Sequence, residues 1–304
     1  MIRLPYSWRR VEGVNNGIPK LRVLHYKLDC VFENLYIRLA RLPKCGVNTA
    51  PRKEKVIVSL TTFPARVDRA YYAIKSLMLQ SVLADKIFLW VAESQFPGRI
   101  LPKKLQELER LGLTVRWCED LRSHKKYFYA LQEQKEDELV LTYDDDIIYE
   151  KDSVEKLIRF HELYPNCVIC NRAHDIRVDE KGDFLPFSKW SIHSSEGVGK
   201  PSLYLMPSTG NGCLYPYGCM PPITFDWEIA KANALTADDI WMRFCSLSNG
   251  IGVVKTRETI ATLCNVWGSQ GERLTLLNDH GGENQRVVDR LQKIFPNVLK
   301  ESIE

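Results

Sequence analysis

Three consecutive aspartates, Asp144-Asp145-Asp146, leave the apolar run Leu139 to Tyr143 and lead directly into another, Ile147-Ile148-Tyr149. Adjacent carboxylates repel one another at neutral pH, so a fold that holds them needs a cation or strong hydrogen-bond donors beside them. Hard oxygen ligands of this kind suit Mg2+ or Mn2+. Such ions take one or two protein carboxylates and complete their octahedra with water and phosphate oxygens, which a nucleotide diphosphate supplies. Along an extended chain alternate side chains share a face, so Asp144 and Asp146 are expected to point together and Asp145 away. The bland alternative is a solvated acidic turn, for which the apolar flanks leave little room.

A second acid pair, Asp238-Asp239, follows Leu235-Thr236-Ala237. Thr236 can cap a helix beginning near Ala237, which puts both acids in the first turn, where the helix dipole favours negative charge. One acid would serve the dipole, so either of the pair is available as a proton acceptor. Between the two acidic sites lie Gly210, Asn211 and Gly212, a composition that permits positive φ and close backbone approach to a ligand. An ordinary tight turn is the competing reading.

These residues need elements to position them. Val56 to Thr61 is a short β-branched run, and Val67, Tyr71, Ile74 and Leu77 recur at helical spacing after it. The pattern continues with Lys86 to Val91 as strand, Lys103 to Leu111 as helix, and Leu113 to Trp117 as strand. Lys126 to Gln134 then reads as helix and Glu138 to Tyr143 as strand. Alternating strands and helices imply parallel pairing with right-handed crossovers. In such sheets ligands sit beyond the carboxyl ends of the strands, where the aspartate triad falls.

With these stretches in place, the chain resembles the metal-dependent nucleotide-sugar glycosyltransferases of the GT-A fold, and within them the bacterial family-2-like enzymes. Val58-Ser59-Leu60-Thr61-Thr62-Phe63-Pro64-Ala65-Arg66 is similar to their first strand and loop. Leu141 to Tyr149 is similar to their Asp-x-Asp strand, Ser208 to Pro216 to their acceptor-side glycine loop, and Leu235 to Met242 to their acidic helix start. The resemblance spans about residues 56 to 290. It implies an α/β chain of GT-A type with one catalytic domain over 55–304. A Rossmann-like nucleotide-binding half (55–150) and an acceptor half (151–304) would share a mixed central sheet, after a basic helical extension over 1–54.

The resemblance also implies roles. Thr61, Thr62, Pro64 and Arg66 would hold the nucleotide, with Asp144, Asp145 and Lys126 beside it. Asp146 would be the principal ligand of Mn2+ or Mg2+, with Asp144 assisting. His280, in Asp279-His280-Gly281-Gly282, would be a further metal or phosphate contact, although a helix-start turn explains the same residues. Gly210, Asn211 and Gly212 would line the sugar pocket, and Asp238 or Asp239 would be the base. Relatives often carry Gly-Pro before the lysine, where this chain has Ser123-His124. The activity implied is transfer of a sugar, with inversion, from a nucleotide diphosphate such as a UDP-sugar to a glycan or lipid-linked glycan in bacterial surface-polysaccharide assembly. Retaining transfer, a sugar-nucleotide nucleotidyltransferase and a non-catalytic nucleotide-sugar-binding protein are the rival readings. The second lacks a glycine-rich basic loop after the first strand, and the third sits poorly with a full set of acids.

Composition bounds the rest. A chain of 304 residues that is 45 % hydrophobic buries a full core and is neither disordered nor fibrous. Residues 1–55 carry twelve Lys and Arg against four Asp and Glu, so the basicity belongs to the extension and the remainder is net acidic. That balance, without a basic aromatic-rich motif, excludes nucleic acid as a partner. No apolar run reaches a membrane span and no leader pattern opens the chain, so a cytoplasmic protein is expected. Nine scattered cysteines read as reduced thiols, with Cys167 and Cys170 as packing. His161, His174 and His193 have no partner pattern and read as structural or surface residues. Within 20–42, Leu21, Leu24, Leu28, Phe32, Leu35, Leu39 and Leu42 recur at three- and four-residue intervals beside Arg22, Lys27, Arg38 and Arg41. This basic amphipathic helix suits an anionic membrane surface, or packing on the catalytic domain or on a second subunit.

Overall fold

The computed structural model describes residues 20–191, 197–257, 264–269, 282–296 and 298–299. The leading strands form where β-branched and apolar residues run without interruption: β1 (Lys55–Thr61), β2 (Lys86–Ala92), β3 (Leu113–Cys118) and β4 (Glu138–Tyr143). The first three are followed by helices, α2 (Val67–Leu77), α3 (Lys103–Glu109) and α4 (Lys125–Gln132). As the alternation requires, β1 pairs in parallel with both β2 and β4, and β2 with β3. The second half contributes α5 (Ser153–Leu163), β5 (Val168–Cys170), β6 (Ala173–Asp175), β7 (Leu205–Pro207) and β8 (Asn211–Tyr215). It ends with α6 (Trp227–Ala234), α7 (Asp238–Ser248), β9 (Val253–Lys255) and α8 (Glu283–Ile294).

Seven strands make one sheet in the order β3-β2-β1-β4-β8-β5-β9, with β6 and β7 pairing separately. β8 runs antiparallel to both β4 and β5, so the sheet is mixed, as the GT-A resemblance implies. The period-2 alternation sorts the core. Val56, Val58 and Leu60 join Leu139 and Leu141 on one face with α2, α3 and α5, while Ile57 and Val140 face α4, α6, α7 and α8. Both faces are covered, which is why these strands read as continuous apolar runs.

α1 (Lys20–Leu39) departs from the expected packing. Its leucine stripe is not the docked side: Asn34 and Ile37 are 0 % and 1 % exposed, whereas Phe32 and Leu39 are 62 % and 82 % exposed. Ile37 packs with Ile148 and Val266. Asn34 fixes the helix by donating from Nδ2 to the Asn265 carbonyl and accepting at Oδ1 from the Trp267 amide, both at 3.0 Å. A buried amide with partners on a neighbouring segment orients a helix more strictly than leucine contacts do. Among the described residues no helix is long and apolar enough to cross a membrane. Cys170 is buried and Cys167 partly exposed, both as free thiols. His161 is buried with Nε2 3.4 Å from Glu54, and His193 lies outside the described residues.

Candidate functional site

β4 stops at Tyr143, and Asp145 and Asp146 already form a turn. The expected sharing of a face by Asp144 and Asp146 therefore fails, because side-chain alternation requires extended backbone. Instead Asp145 and Asp146 share Arg66, whose Nη1 stands 3.1 Å from Asp145 Oδ1 and 3.0 Å from Asp146 Oδ2. The Thr62 hydroxyl donates to Asp145 Oδ2 at 2.6 Å. Burial raises the Asp145 carboxyl above its usual range, opposed by Arg66 and Thr62. Burial disfavours the Arg66 charge, but Asp145 and Asp146 outweigh it and hold the guanidinium protonated.

The loop between β1 and α2 brings Arg66 there. Pro64 opens a turn in which the Arg66 and Val67 amides donate to the Phe63 carbonyl at 3.0 Å, and the guanidinium lies 5.3 Å from the Phe63 ring centre. Thr61 faces the sheet instead, its hydroxyl donating to the Trp90 carbonyl at 2.8 Å. It ties β1 to β2, while Thr62 touches the acids.

Asp144 turns the other way. Its carboxylate, 37 % exposed, accepts from Lys126 Nζ at 2.8 Å, and the same ammonium lies 3.0 Å from Asp238 Oδ2. Burial disfavours the Lys126 charge, but Asp144, Asp238 and Asp239 overcome it and hold the ammonium well above its ordinary range. Lys126 reaches this point because α4 is anchored at its start. His124 is wholly buried, with Nε2 2.9 Å from the Ala234 carbonyl and Nδ1 2.8 Å from the Tyr127 hydroxyl. The carbonyl requires a proton on Nε2, so Nδ1 accepts from Tyr127 and the ring is neutral, consistent with burial lowering its affinity for a second proton. The Ser123-His124 departure is thus a helix anchor.

Gly210 is explained by Asp144: a Cβ built there would lie 1.7 Å from Asp144 Oδ2. The Asp144 amide donates to the Gly210 carbonyl at 3.0 Å, and the Tyr149 hydroxyl lies 2.7 Å from both that amide and that carbonyl. Gly212 has φ +89° and backs onto Asn171, whose amide nitrogen a Cβ would meet at 2.6 Å. Asn211 stands opposite Tyr143 on β4, where the register shifts between Thr142 and Tyr143. Its buried Oδ1 has no hydrogen-bond partner among the described residues, which is rare for a buried amide and leaves an acceptor available.

Asp238 and Asp239 begin α7 and converge on Thr209. The Thr209 amide donates to Asp239 Oδ1 at 2.9 Å, and the Thr209 hydroxyl contacts Asp238 Oδ2 at 2.9 Å and Asp239 Oδ1 as well. One hydroxyl has one proton, so two ionised carboxylates cannot both be served by it. The two acids divide accordingly. For Asp238, 6 % exposed, burial would raise the carboxyl, but the Lys126 ammonium outweighs it and holds it below the usual carboxylate range. For Asp239, which is partly solvent-accessible, burial and the Asp238 charge raise it to about 6.

The structure thus brings Thr62, Arg66, Lys126, Asp144, Asp145, Asp146, Asp238, Asp239 and Gly210 to one site. Thr61 ties β1 to β2 through its hydroxyl instead, and Pro64 and Gly212 act on the site through backbone geometry. His280 lies outside the described residues. Thr209 and Tyr149 were missed as site residues. Thr209 stood beside Gly210 in the quoted loop, whereas nothing in the sequence distinguishes Tyr149 from a core aromatic. No three His, Cys, Asp or Glu side chains among the described residues converge to hold a cation by themselves. The donor set fits Mg2+ or Mn2+ in the other manner, one or two aspartates completed by diphosphate oxygens and water. Among the described residues the cluster sets five carboxylates against two cations, a balance that welcomes divalent charge.

No protein-family model and no curated sequence matches the chain. Similar solved structures include a mannosyltransferase from Pyrobaculum calidifontis in complex with GDP-Man and Mn2+. It is 13 % identical, with 93 % of this chain and 79 % of that one covered and a TM-score of 0.49. TarS from S. aureus in complex with UDP is 18 % identical over 67 % of this chain and 59 % of that one, with a TM-score of 0.41. A 2-C-methyl-D-erythritol 4-phosphate cytidylyltransferase from Francisella tularensis is 15 % identical over 69 % and 95 %, with a TM-score of 0.38. At these scores no residue role is carried over from them.

Proposed function

We propose that the chain is a metal-dependent glycosyltransferase that moves a sugar from a nucleotide diphosphate, a UDP-sugar in the leading reading, onto a glycan or lipid-linked glycan hydroxyl with inversion. The observation that carries this is the Lys126 bridge. Its ammonium lies 2.8 Å from Asp144 and 3.0 Å from Asp238, so triad and acid pair, from opposite halves of the chain, form one site. Inverting transfer needs this division, with anion-handling groups on the leaving diphosphate and a separate carboxylate at the acceptor hydroxyl.

Asp146 would be the principal protein ligand of Mn2+ or Mg2+, its shell completed by diphosphate oxygens and water, and the ion would supply the positive charge that stabilises the departing diphosphate; Asp144, turned onto Lys126, would assist only by swinging from that position. Thr62 and Arg66 orient Asp145 and Asp146, and Arg66 offers a guanidinium to phosphate oxygens. Asp239 is the base: it is the reachable member of the pair, and a carboxyl raised to about 6 accepts a proton near neutrality better than one clamped by a lysine. The acceptor hydroxyl gives its proton to Asp239 as its oxygen bonds to the anomeric carbon, and the glycosidic electron pair leaves with the diphosphate. Asn211 Oδ1 is a waiting acceptor for a sugar hydroxyl. The setting that accompanies this reading is bacterial surface-polysaccharide assembly on the cytoplasmic side of the membrane.

The test is calorimetry with UDP, GDP, CMP and CTP, with and without Mn2+, on the natural chain and on Asp146→Ala. Metal-dependent binding of one diphosphate, lost in the variant, is expected. No metal-dependent nucleotide binding at all would refute the reading, and selective CTP binding would favour nucleotidyl transfer.

A further inference from the structure

The outward face of α1 carries an apolar surface that no described residue covers. Leu28, Val31, Phe32, Leu35 and Leu39 are 48 %, 40 %, 62 %, 43 % and 82 % exposed, and their spacing puts them on one helical stripe. With four aliphatic side chains and Phe32 each 40 % or more exposed, the stripe presents on the order of a few hundred Å², the size at which a patch marks an interaction site. Trp267, 42 % exposed, flanks it, with the Arg38 guanidinium 4.8 Å from its ring and 4.5 Å from Tyr72. The helix cannot roll to hide the stripe, because Asn34 and Ile37 hold its other side.

Two occupants compete for such a face, a second copy of the chain and a lipid surface, and charge decides between them. Over residues 20–44 six basic residues face two acidic ones, and residues 1–55 carry twelve against four. Pairing two copies through this helix would bring two like-charged segments together, whereas an anionic surface attracts them. A helix of 20 residues that keeps an apolar stripe on its exposed side, with a basic excess around it, can lie in the headgroup plane of a bilayer rather than across it.

We propose that α1 docks on an anionic bilayer through Leu28, Val31, Phe32, Leu35 and Leu39, with Trp267 at the rim. The opposite face of the helix holds residues 265–267, and the Val266 amide donates to the Asp146 carbonyl at 2.8 Å. Docking therefore sets the acid cluster close behind the membrane contact, which selects an acceptor carried on a lipid; that last step rests on the glycosyltransferase reading.

The experiment is sedimentation of the full chain with phosphatidylglycerol–phosphatidylcholine vesicles and with pure phosphatidylcholine vesicles. It is run for the natural chain and for F32D/L39D, whose positions are exposed and whose fold is checked by circular dichroism. The natural chain is expected to pellet with the anionic vesicles, less so at high salt, and F32D/L39D to bind at least about tenfold more weakly. Equal pelleting of the two, or pelleting of neither, overturns the proposal. So does a natural chain that sediments alone as a dimer, becomes monomeric in F32D/L39D and ignores vesicles. Vesicle binding that appears only after deletion of residues 1–19 overturns it too, by making the chain's own N-terminus the occupant. Nucleotide binding with Mn2+ is measured on both proteins, so a failed transferase reading shows there while leaving the vesicle result standing.

Discussion

Lys126→Met removes the ammonium that links the two acid groups while keeping most of the buried stem. Asp238 is then a buried carboxylate beside Asp239 with its principal cation gone. Breaking a buried pair in this way costs about 3–5 kcal/mol. The Asp144 share of that figure is small, because its side chain is 37 % exposed and water screens it. At about 2–4 °C per kcal/mol, melting should fall by roughly 6–20 °C near neutral pH. The pH dependence carries the sharper signature. In the natural chain the Asp238 carboxyl is held below its usual range, so its contribution is present above the unfolded value near about 4 and lost as pH falls through the folded value. Without Lys126, burial and the Asp239 charge outweigh the remaining hydroxyl contacts, and the carboxyl is expected to rise above the unfolded value. The sign reverses: the folded variant takes up a proton, is most stable in acid, and loses that stability as pH rises through the new folded value. Urea unfolding at about pH 5 and about pH 8 should show the gap to the natural chain narrowing on acidification. A gap below about 1 kcal/mol at the higher pH, or one that widens in acid, would refute the account of Lys126 as the charge that holds the two sites together.

Two further outcomes follow from the same geometry. The raised Asp239 carboxyl should give kcat/KM an acid limb near 6, activity rising with pH as the base loses its proton, and Asp239→Asn should retain donor binding while losing transfer together with that limb. A fully active Asp239→Asn beside an inactive Asp238→Asn would reverse the assignment. Gly210→Ala should weaken donor affinity and cost about 1–3 kcal/mol of stability, since the added methyl lands on the Asp144 carboxylate; unchanged affinity by calorimetry would show that Asp144 is not needed in its observed position.

The strands and helices of residues 55–143 were legible because both faces of the sheet are covered, so the apolar runs are long and the turns between them short. The mixed character of the sheet came through the resemblance, since β8 as Asn211–Tyr215 is too short and glycine-bearing to announce itself by pattern. At the site, residue types were readable and directions were not. Alternation failed at Asp145 because the strand ends two residues earlier, at Tyr143, and a turn lets neighbouring carboxylates share one guanidinium. The leucine stripe of α1 was visible, but which side the helix would bury was decided by Asn34, whose partners lie on a segment no local pattern connects to it. Thr209 became a site residue only when α7 folded against it.

The hydrogen bonds from Asn34 to residues 265 and 267, and from residue 266 to Asp146, also set an order of events in synthesis. At about 5–20 residues per second the strands β1 to β4 and the aspartates that follow them are made well before residue 264. Until then the Asn34 amide lacks its partners, α1 has little to orient it, and the Asp146 carbonyl waits as well. The Asp146 edge of the site is therefore closed late, by one short segment that arrives after both the helix and the triad it joins.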